Sequence, residues 1–214
     1  IKWTRGLKQK FDANKTLKFD PKLISRAFYR PYNNKFLYKS SDLIEMPSLL
    51  PRLTKGQNLF LMFSGSAHSK PFQVYGSDTT FSFDFLEKTA ACPMFSYDKS
   101  GNSVDNMTDW GLEQFTKKYK DKKITKEDIF HYTYGVLHNP AYREKYALNL
   151  KRDFPRIPFY KDFWQWAAWG KQLMDLHINY ETVQPYKLKE ATKEVANPKT
   201  KLKAAKAAGT IAID

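Results

Sequence analysis

The chain has 214 residues, 42% of them hydrophobic, so it is long enough to bury the core of one large domain or two small ones. Lys and Arg outnumber Asp and Glu by 36 to 22, and the resulting net charge of +14 favours phosphate-bearing partners. The one cysteine, Cys92, excludes an internal disulfide and a cysteine-based zinc cluster, and the four histidines lack metal-ligand spacing.

The sequence carries no signal for a membrane or for export. No stretch approaches the roughly 20 apolar residues of a membrane span, and the first ten residues do not resemble a signal peptide. The chain begins with Ile1 rather than Met and ends at Asp214, just after an apolar run resumes. We therefore interpret it as a piece of a longer cytoplasmic protein.

The first half is predicted to be rich in β-strands. Short runs of aromatic and apolar residues alternate with breaks that contain Pro, Asn, Gly or Ser, as is typical of strands joined by turns. The expected strands are 23–32, 35–39, 58–64, 72–76 and 93–97. Residues 42–53 are predicted to form a short helix that Pro47 interrupts and Pro51 ends.

The second half changes to a helical period, with helices expected over 108–119, 125–138, 139–151 and 162–178. Thr125 and Asp128 have the spacing of an N-terminal capping pair. Two of these helices carry apolar stripes at i, i+3, i+4, i+7 spacing: Ile129, Tyr132, Thr133, Val136 and Leu137 on one, and Phe163, Trp166, Ala167, Gly170, Leu173, Met174 and His177 on the other. We expect an α+β fold in which a helical half, 106–180, packs on a twisted sheet built from the β-rich half, 21–98.

Two basic or aromatic segments have more than one interpretation. Residues 26–39 interleave five aromatic and four basic side chains with no acid, which suits a polyanion. Their aromatics Tyr29, Tyr32, Phe36 and Tyr38, like the tryptophans Trp164, Trp166 and Trp169, are predicted to build the interior rather than to stack on bases. The lysine-rich segment 184–208 is predicted to be a solvated helix or a flexible connector.

The 64–71 loop, between two predicted strands, is a candidate binding element. Ser64, Ser66, His68 and Lys70 offer donors and acceptors that read base edges or phosphates when they are held at the rim of a sheet. An ordinary surface hairpin explains the same residues equally well.

No catalytic motif is complete in the chain. It lacks a phosphate-binding Gly-rich loop, a dinucleotide fingerprint, a zinc-protease helix and a nucleophile elbow. Residues 139–142, Asn-Pro-Ala-Tyr, match three of four positions of the motif with which amino-methyltransferases hold a flipped adenine. We favour a helix start, because Asn139 is a good N-cap and Pro140 suits the first helical position.

Three blocks taken together raise a specific family. Residues 26–47, then 58–72 with 92–98, then 124–158 resemble, in this order, the C-terminal region of type ISP restriction–modification enzymes. The resemblance covers about 25–186. It implies a β-rich reading module with packed helices that recognises a short sequence in double-stranded DNA. It also implies an order of parts: 1–20 as a lead-in helix or linker from an upstream methyltransferase part, 21–186 as the target recognition domain, and 187–214 as a basic tail or truncated continuation.

The resemblance places the chemistry elsewhere in the parent chain. Such bacterial enzymes join a nuclease, a helicase-like motor and an N6-adenine methyltransferase in one polypeptide, which use ATP, Mg²⁺ and S-adenosylmethionine. This piece is then expected to have no catalytic or metal site and no cofactor, with DNA and the upstream methyltransferase and motor domains as partners.

The candidate DNA-binding residues are Arg30, Lys35, Lys39, Ser64, Ser66, His68 and Lys70. Arg30 and Lys35 can donate to guanine, and Ser66 and His68 can donate or accept at either type of base pair. Two alternatives stay open. The piece is part of the methyltransferase catalytic domain, or it is a spacer that couples other domains and reads no bases.

Overall fold

The computed structural model describes residues 3–44 and 53–187, together with the backbone of 189–192, 202–205 and 210–213. The chain divides into two compact units, residues 1–180 and residues 181–214. In the first unit the strands come mainly before residue 106 and the large helices after it, so the predicted α+β class is confirmed. Among the described helices, none is long and apolar enough to cross a membrane.

A short 3₁₀ helix (Pro21–Leu23) precedes the first strand. The helices are α1 (Arg5–Asp12), α2 (Asp109–Tyr119), α3 (Lys126–His138), α4 (Pro140–Lys145), α5 (Ala147–Leu150) and α6 (Phe163–Ile178). The strands are β1 (Ile24–Arg30), β2 (Asn33–Tyr38), β3 (Phe60–Phe63), β4 (Val74–Ser77), β5 (Thr80–Phe81), β6 (Ala90–Pro93), β7 (Phe95–Tyr97), β8 (Ser103–Asp105), β9 (Lys189–Thr192), β10 (Leu202–Ala205) and β11 (Thr210–Ile213).

The strands of the first unit form three small sheets rather than one large one. Their orders are β2–β1–β5, β4–β3–β6 and β7–β8, and all neighbours are antiparallel except β1 and β5. The predicted strands 23–32, 35–39, 58–64 and 72–76 correspond to β1 to β4. The prediction at 93–97 covers the end of β6 and all of β7, while β5 and β8 were not predicted.

Strand β3 is buried on both faces and therefore separates two parts of the core. Its side chains alternate: Leu61 and Phe63 pack against the helices, whereas Phe60 and Met62 pack against Phe28 of β1 and its neighbours. The first unit thus has three layers, with the β2–β1–β5 sheet, the β4–β3–β6 sheet and the helices stacked in that order. The predicted apolar stripes are confirmed as largely buried: Ile129, Tyr132, Val136 and Leu137 on α3, and Phe163, Ala167, Gly170 and Met174 on α6.

Helices α3 and α6 cross at two glycines. A Cβ on Gly170 would overlap with the carbonyl group of His131, and a Cβ on Gly135 would lie 2.7 Å from the carbonyl oxygen of Trp166. The two backbones are therefore in direct contact, which no larger residue allows. The predicted capping pair begins α3, since Thr125 accepts from the amide of Asp128, whose carboxylate accepts from the amide of Thr125.

Two predictions, one for a helix and one for the lysine-rich segment, need correction. The predicted helix 139–151 is two short helices, α4 and α5, because Tyr146 leaves helical geometry with φ −108° and ψ 18°. The second unit contains a sheet of order β10–β11–β9 where a solvated helix or connector was predicted. Main-chain pairing between separated segments forms that sheet, and local composition does not reveal it. Residues 45–52 of the predicted 42–53 helix lie outside the described residues.

A cluster of histidines and tyrosines joins α3 and α6 to β4. The hydroxyl of Tyr134 lies 2.5 Å from Nδ1 of His177, and the His177 ring stacks on Tyr75 at 4.8 Å between centroids. The ring of His138 lies 5.4 Å from that of His177. Burial, with a smaller contribution from the nearby Arg143 guanidinium, lowers the pKa of His138 to about 4.

Substituting Gly170→Ala should destabilise the first unit by about 1–3 kcal/mol, because the new methyl group meets main-chain atoms that cannot move independently. Thermal or urea unfolding measures the change. Gly111→Ala in α2 is the matched control, because its Cβ would have no atom closer than 3.5 Å. We expect that variant to be neutral or slightly stabilised, by less than about 1 kcal/mol. An equal destabilisation of both variants would contradict the crossing argument.

Stability should fall as the pH falls from about 6.5 to about 4, because the unfolded chain binds a proton on His138 before the folded chain does. The contribution of this one group is on the order of 3 kcal/mol. Urea unfolding of the protein and of His138→Gln at several pH values measures it. The variant should have a flatter profile over this range, and identical profiles would contradict the prediction.

Candidate nucleic-acid interface

The 64–71 loop leaves the end of β3 and is attached to the body at both sides. Ser64 is buried, and its hydroxyl accepts a hydrogen bond from the amide of Gln73 at 3.0 Å, while its own amide donates to the Gln73 carbonyl at 3.0 Å. This serine therefore closes the base of the loop. Its hydroxyl is not available to a DNA base in this conformation.

His68 also points inward rather than toward solvent. Its ring is buried, with Nδ1 2.6 Å from the carbonyl oxygen of Lys70 and Nε2 3.3 Å from the carbonyl oxygen of Leu150. Both contacts are to main-chain acceptors, so the ring joins the loop to α5. The prediction that Ser64 and His68 read bases is not supported by these positions, because buried groups bound to the main chain cannot also reach a duplex.

Glu87, which the sequence analysis did not single out, organises the outer part of the loop. Its carboxylate accepts from the amide of Ser69 at 2.8 Å, from the amide of Lys70 at 2.9 Å and from the Ser69 hydroxyl at 3.1 Å. The two amide hydrogen bonds are the main reason that the pKa of this carboxyl group falls to about 2. Glu87 is therefore ionised at any pH near neutrality.

Main-chain contacts complete the attachment of the loop. The amide of Gly65 donates to the carbonyl of Glu87 at 3.2 Å, and the amide of Ala67 donates to that of Lys151 at 2.7 Å. A Cβ on Gly65 would overlap with the carbonyl group of Lys88, so only glycine permits this approach. Ala67 has φ +57°, and this left-handed backbone conformation turns the chain within the loop.

Two neighbouring clefts border this loop, and Lys88 lines both. The Ser66 cleft, of about 370 Å³, is lined by the exposed Ser66 together with Lys88 and Arg152. The Arg30 cleft, of about 450 Å³, is lined by Arg30, Lys70 and Lys88. The structure therefore brings four of the predicted residues, Arg30, Ser64, Ser66 and Lys70, to adjoining clefts, although the hydroxyl of Ser64 is already bound to the main chain. We call this surface the basic rim.

Arg30 and Lys35 lie against the same aromatic ring. The guanidinium carbon of Arg30 is 4.3 Å from the centroid of Tyr29, and the ammonium nitrogen of Lys35 is 4.1 Å from it. These cation–π contacts fix two flexible side chains at the end of the β1–β2 hairpin, next to the Arg30 cleft. Two positive charges are thus held at one place on the edge of the sheet.

Lys39 lies at the other end of β2 and does not line either cleft. Its amide donates to the carbonyl of Leu23 at 2.8 Å, and partial burial lowers the pKa of its ammonium group. Lys39 is therefore separate from the basic rim.

Of the four aromatic residues of this segment that were predicted to be interior, three are exposed and Tyr38 is half-buried, so the prediction is wrong for Tyr29, Tyr32 and Phe36. Phe28 is buried, but Tyr29 and Tyr32 are exposed and Phe36 has 83% of its surface accessible. The β2–β1–β5 sheet is the outer layer and packs on β3 with one face, so its other face has no layer above it. Among the three tryptophans of α6, Trp164 and Trp169 are about half exposed, whereas Trp166 stacks on Tyr160 at 5.1 Å.

Comparison with protein-family models identifies the family of this chain. The model described as "Type ISP C-terminal specificity domain" matches residues 1–214. The chain belongs to this family. No curated protein matches it.

Solved structures agree with the family of this specificity domain. A cryo-EM structure of a DrdV–DNA complex matches 88% of the chain with 46% identity and a TM-score of 0.83. A nuclease-deletion mutant of the type ISP enzyme LlaGI, in complex with a DNA substrate mimic, matches 86% with 32% identity and a TM-score of 0.69. The ATP-dependent type ISP enzyme LlaBIII bound to DNA matches 86% with 26% identity and a TM-score of 0.73. The specificity domain spans 19%, 14% and 13% of the lengths of these three chains.

The Asn-Pro-Ala-Tyr segment starts a helix, as predicted. The side chain of Asn139 accepts from the amide of Ala141 at 3.0 Å, and Pro140 is the first residue of α4. Tyr142 is buried and donates from its hydroxyl to the carbonyl of Arg156 at 2.9 Å. A buried ring cannot stack on a flipped base, so the geometry argues against a methyltransferase site here. Within the described residues, no group of three or more His, Cys, Asp or Glu side chains could hold a metal ion.

Sequence reasoning missed Glu87, Lys88 and Arg152. These residues come from segments that are remote from most of the loop along the chain, and a single sequence gives no sign that they meet it. The one local signal was the placement of Glu87 and Lys88 in a polar break before a predicted strand, which marks a turn but does not show what the turn touches.

Gly65→Ala should displace the 64–71 loop, because the new methyl group would overlap with main-chain atoms of Lys88. We expect faster hydrogen–deuterium exchange at the amides of Ser69 and Lys70, and destabilisation of about 1–3 kcal/mol. Gly6→Ala in α1 is the control, since no atom lies within 4 Å of its Cβ. Unchanged exchange at both amides in Gly65→Ala would show that the loop tolerates the displacement.

Proposed function

We propose that this specificity domain binds double-stranded DNA through the basic rim and reads its sequence with the 64–71 loop. The observation that carries the proposal is the convergence of cations from four separate segments on two adjoining clefts beside one rigid loop. Three solved complexes of similar proteins contain DNA or a DNA mimic, which supports a duplex as the ligand.

The two clefts have different roles in this proposal. The Arg30 cleft, with Lys70 and Lys88, offers cations that neutralise backbone phosphates and fix the register of the duplex. Ser66 is exposed at the neighbouring cleft, on a loop whose backbone is fixed. A hydroxyl can donate or accept, so Ser66 can contact either type of base pair. Arg30, held on the ring of Tyr29, can contact guanine or phosphate.

The remaining functions are placed in the parent polypeptide. We propose that ATP-dependent translocation, cleavage and N6-adenine methylation, with their ATP, Mg²⁺ and S-adenosylmethionine, belong to domains that precede this one in a cytoplasmic enzyme. The family match supports this arrangement, since the domain spans only 14% and 13% of the two type ISP enzyme chains that it matches. We also propose that residues 21–186 form the recognition domain and that residues 1–20 lead into it.

Lys70→Ala and Lys88→Ala should each weaken binding to duplexes of any sequence, because each removes one positive charge from the Arg30 cleft. Lys88→Ala also removes the hydrogen bond from the Lys88 ammonium group to the carbonyl of Ala67, so Lys70→Ala is the purer test of charge. Fluorescence anisotropy at several salt concentrations measures this, and the slope of log K against log salt should become shallower by about 0.9 for each phosphate that is no longer neutralised. Lys171→Ala is the matched control, because Lys171 pairs with Asp175 on α6 and lines neither cleft. A flat salt response of the unmodified chain would instead favour a spacer that reads no DNA.

Ser66→Ala should reduce discrimination at one base position by about 1–3 kcal/mol, since the variant has no hydroxyl to bind a base edge while the cations remain. Selection from a randomised duplex library, followed by sequencing, measures preference at each position. Affinity for random duplexes should stay unchanged. Equal weakening for all sequences would show that Ser66 binds only the DNA backbone.

A further inference from the structure

We propose that Glu87 is a positioning residue that determines how well this domain discriminates between sequences, without adding to its general affinity for DNA. The inference rests on the proposed function, because it concerns the same loop and the same clefts. Glu87 carries a negative charge in a surface that is proposed to bind a polyanion, and that charge by itself opposes binding.

The electrostatic position of Glu87 is unfavourable for binding alone. It lines the Arg30 cleft between Lys70 and Lys88, and a carboxylate there repels backbone phosphates. Its pKa is lowered to about 2, so it cannot lose this charge by protonation near neutral pH. A surface adapted only for general affinity would have a neutral or basic residue at this place.

The geometry shows what the carboxylate does instead. Its two oxygens accept three hydrogen bonds from Ser69 and Lys70, and two of these come from main-chain amides. The Gly65 amide binds the carbonyl of the same residue at 3.2 Å. Glu87 therefore holds the loop on both sides of Ser66, whose exposed side chain lies between the attachments.

The other attachments hold the start and the middle of the loop, and Glu87 holds the part that follows, Ser69 and Lys70. Ser64 holds the start of the loop to Gln73, and the His68 ring and the Ala67 amide hold its middle to residues 150 and 151. The carbonyl of Ala67 also accepts from the ammonium group of Lys88 at 2.8 Å. The amides of Ser69 and Lys70 bind Glu87. Sequence reading requires a donor or acceptor to be held within a few tenths of an ångström of a base edge, whereas phosphate attraction tolerates movement.

Asp84 provides a matched comparison within the same cleft. It also lines the Arg30 cleft, and its carboxylate is exposed and forms no hydrogen bond or ion pair with any other described residue. Glu87→Gln and Asp84→Asn thus remove the same charge from the same place, but only the first removes hydrogen bonds that hold the loop. A glutamine can accept with one oxygen only, and its amide nitrogen would face a second main-chain N–H donor.

The test measures general and specific binding separately on the unmodified 214-residue chain, Glu87→Gln and Asp84→Asn. The probe is a library of duplexes with a randomised core, sequenced after selection, together with anisotropy titrations on the unselected library at fixed salt. We expect Glu87→Gln to reduce enrichment of the preferred sequence roughly tenfold, while its affinity for the unselected library is equal to or above that of the unmodified chain. Asp84→Asn should show the same affinity change and full enrichment.

Each outcome decides the proposal. Full enrichment in Glu87→Gln, or an equal reduction in both variants, would overturn it, the second because charge alone would then account for the effect. If the unmodified chain neither binds duplexes nor enriches any sequence, the proposed function itself fails and the inference fails with it. Thermal unfolding of both variants, together with exchange at the Ser69 amide, separates local loosening of the loop from general unfolding.

Discussion

The burial of β3 on both faces is the constraint on which the rest of the structure depends. Its four residues, Phe60–Phe63, are in contact with the helices on one side and with the β2–β1–β5 sheet on the other. The strand cannot shift by one residue without exchanging the two sets of side chains. Because the 64–71 loop begins directly where β3 ends, this doubly buried strand also fixes the position of the proposed reading loop.

The basic rim combines a rigid frame with mobile charges, and this division suits a protein that must both hold DNA and distinguish sequences. The loop is attached through main-chain and buried contacts, including Ser64, His68 and Glu87. The cation of Lys70 is on a side chain that can follow phosphates, whereas the ammonium group of Lys88 donates to the carbonyl of Ala67 at 2.8 Å and is held beside the loop. General affinity and sequence discrimination can therefore change independently in such a surface.

Local patterns predicted the secondary structure better than the interface. The capping pair at Thr125 and the stripes of α3 and α6 were recognisable, because they depend on residues within a few positions of one another. The candidate residues Ser64 and His68 were chosen by side-chain chemistry alone. Their burial follows from contacts with Gln73 and with Leu150, the second of which is 82 positions away from His68.

The sequence by itself determined the α+β class, the helix starts at Thr125 and Asn139, and the basic character of the surface, because charge and capping chemistry act at short range. The similarity of its motifs to those of a known family could also be recognised without coordinates. Only the tertiary structure decided which side chains meet. It joined Glu87 to the loop, brought Lys88 and Arg152 to the clefts, and exposed three aromatic residues of the β1–β2 hairpin. Burial and long-range pairing depend on how separate layers stack, which no local pattern encodes.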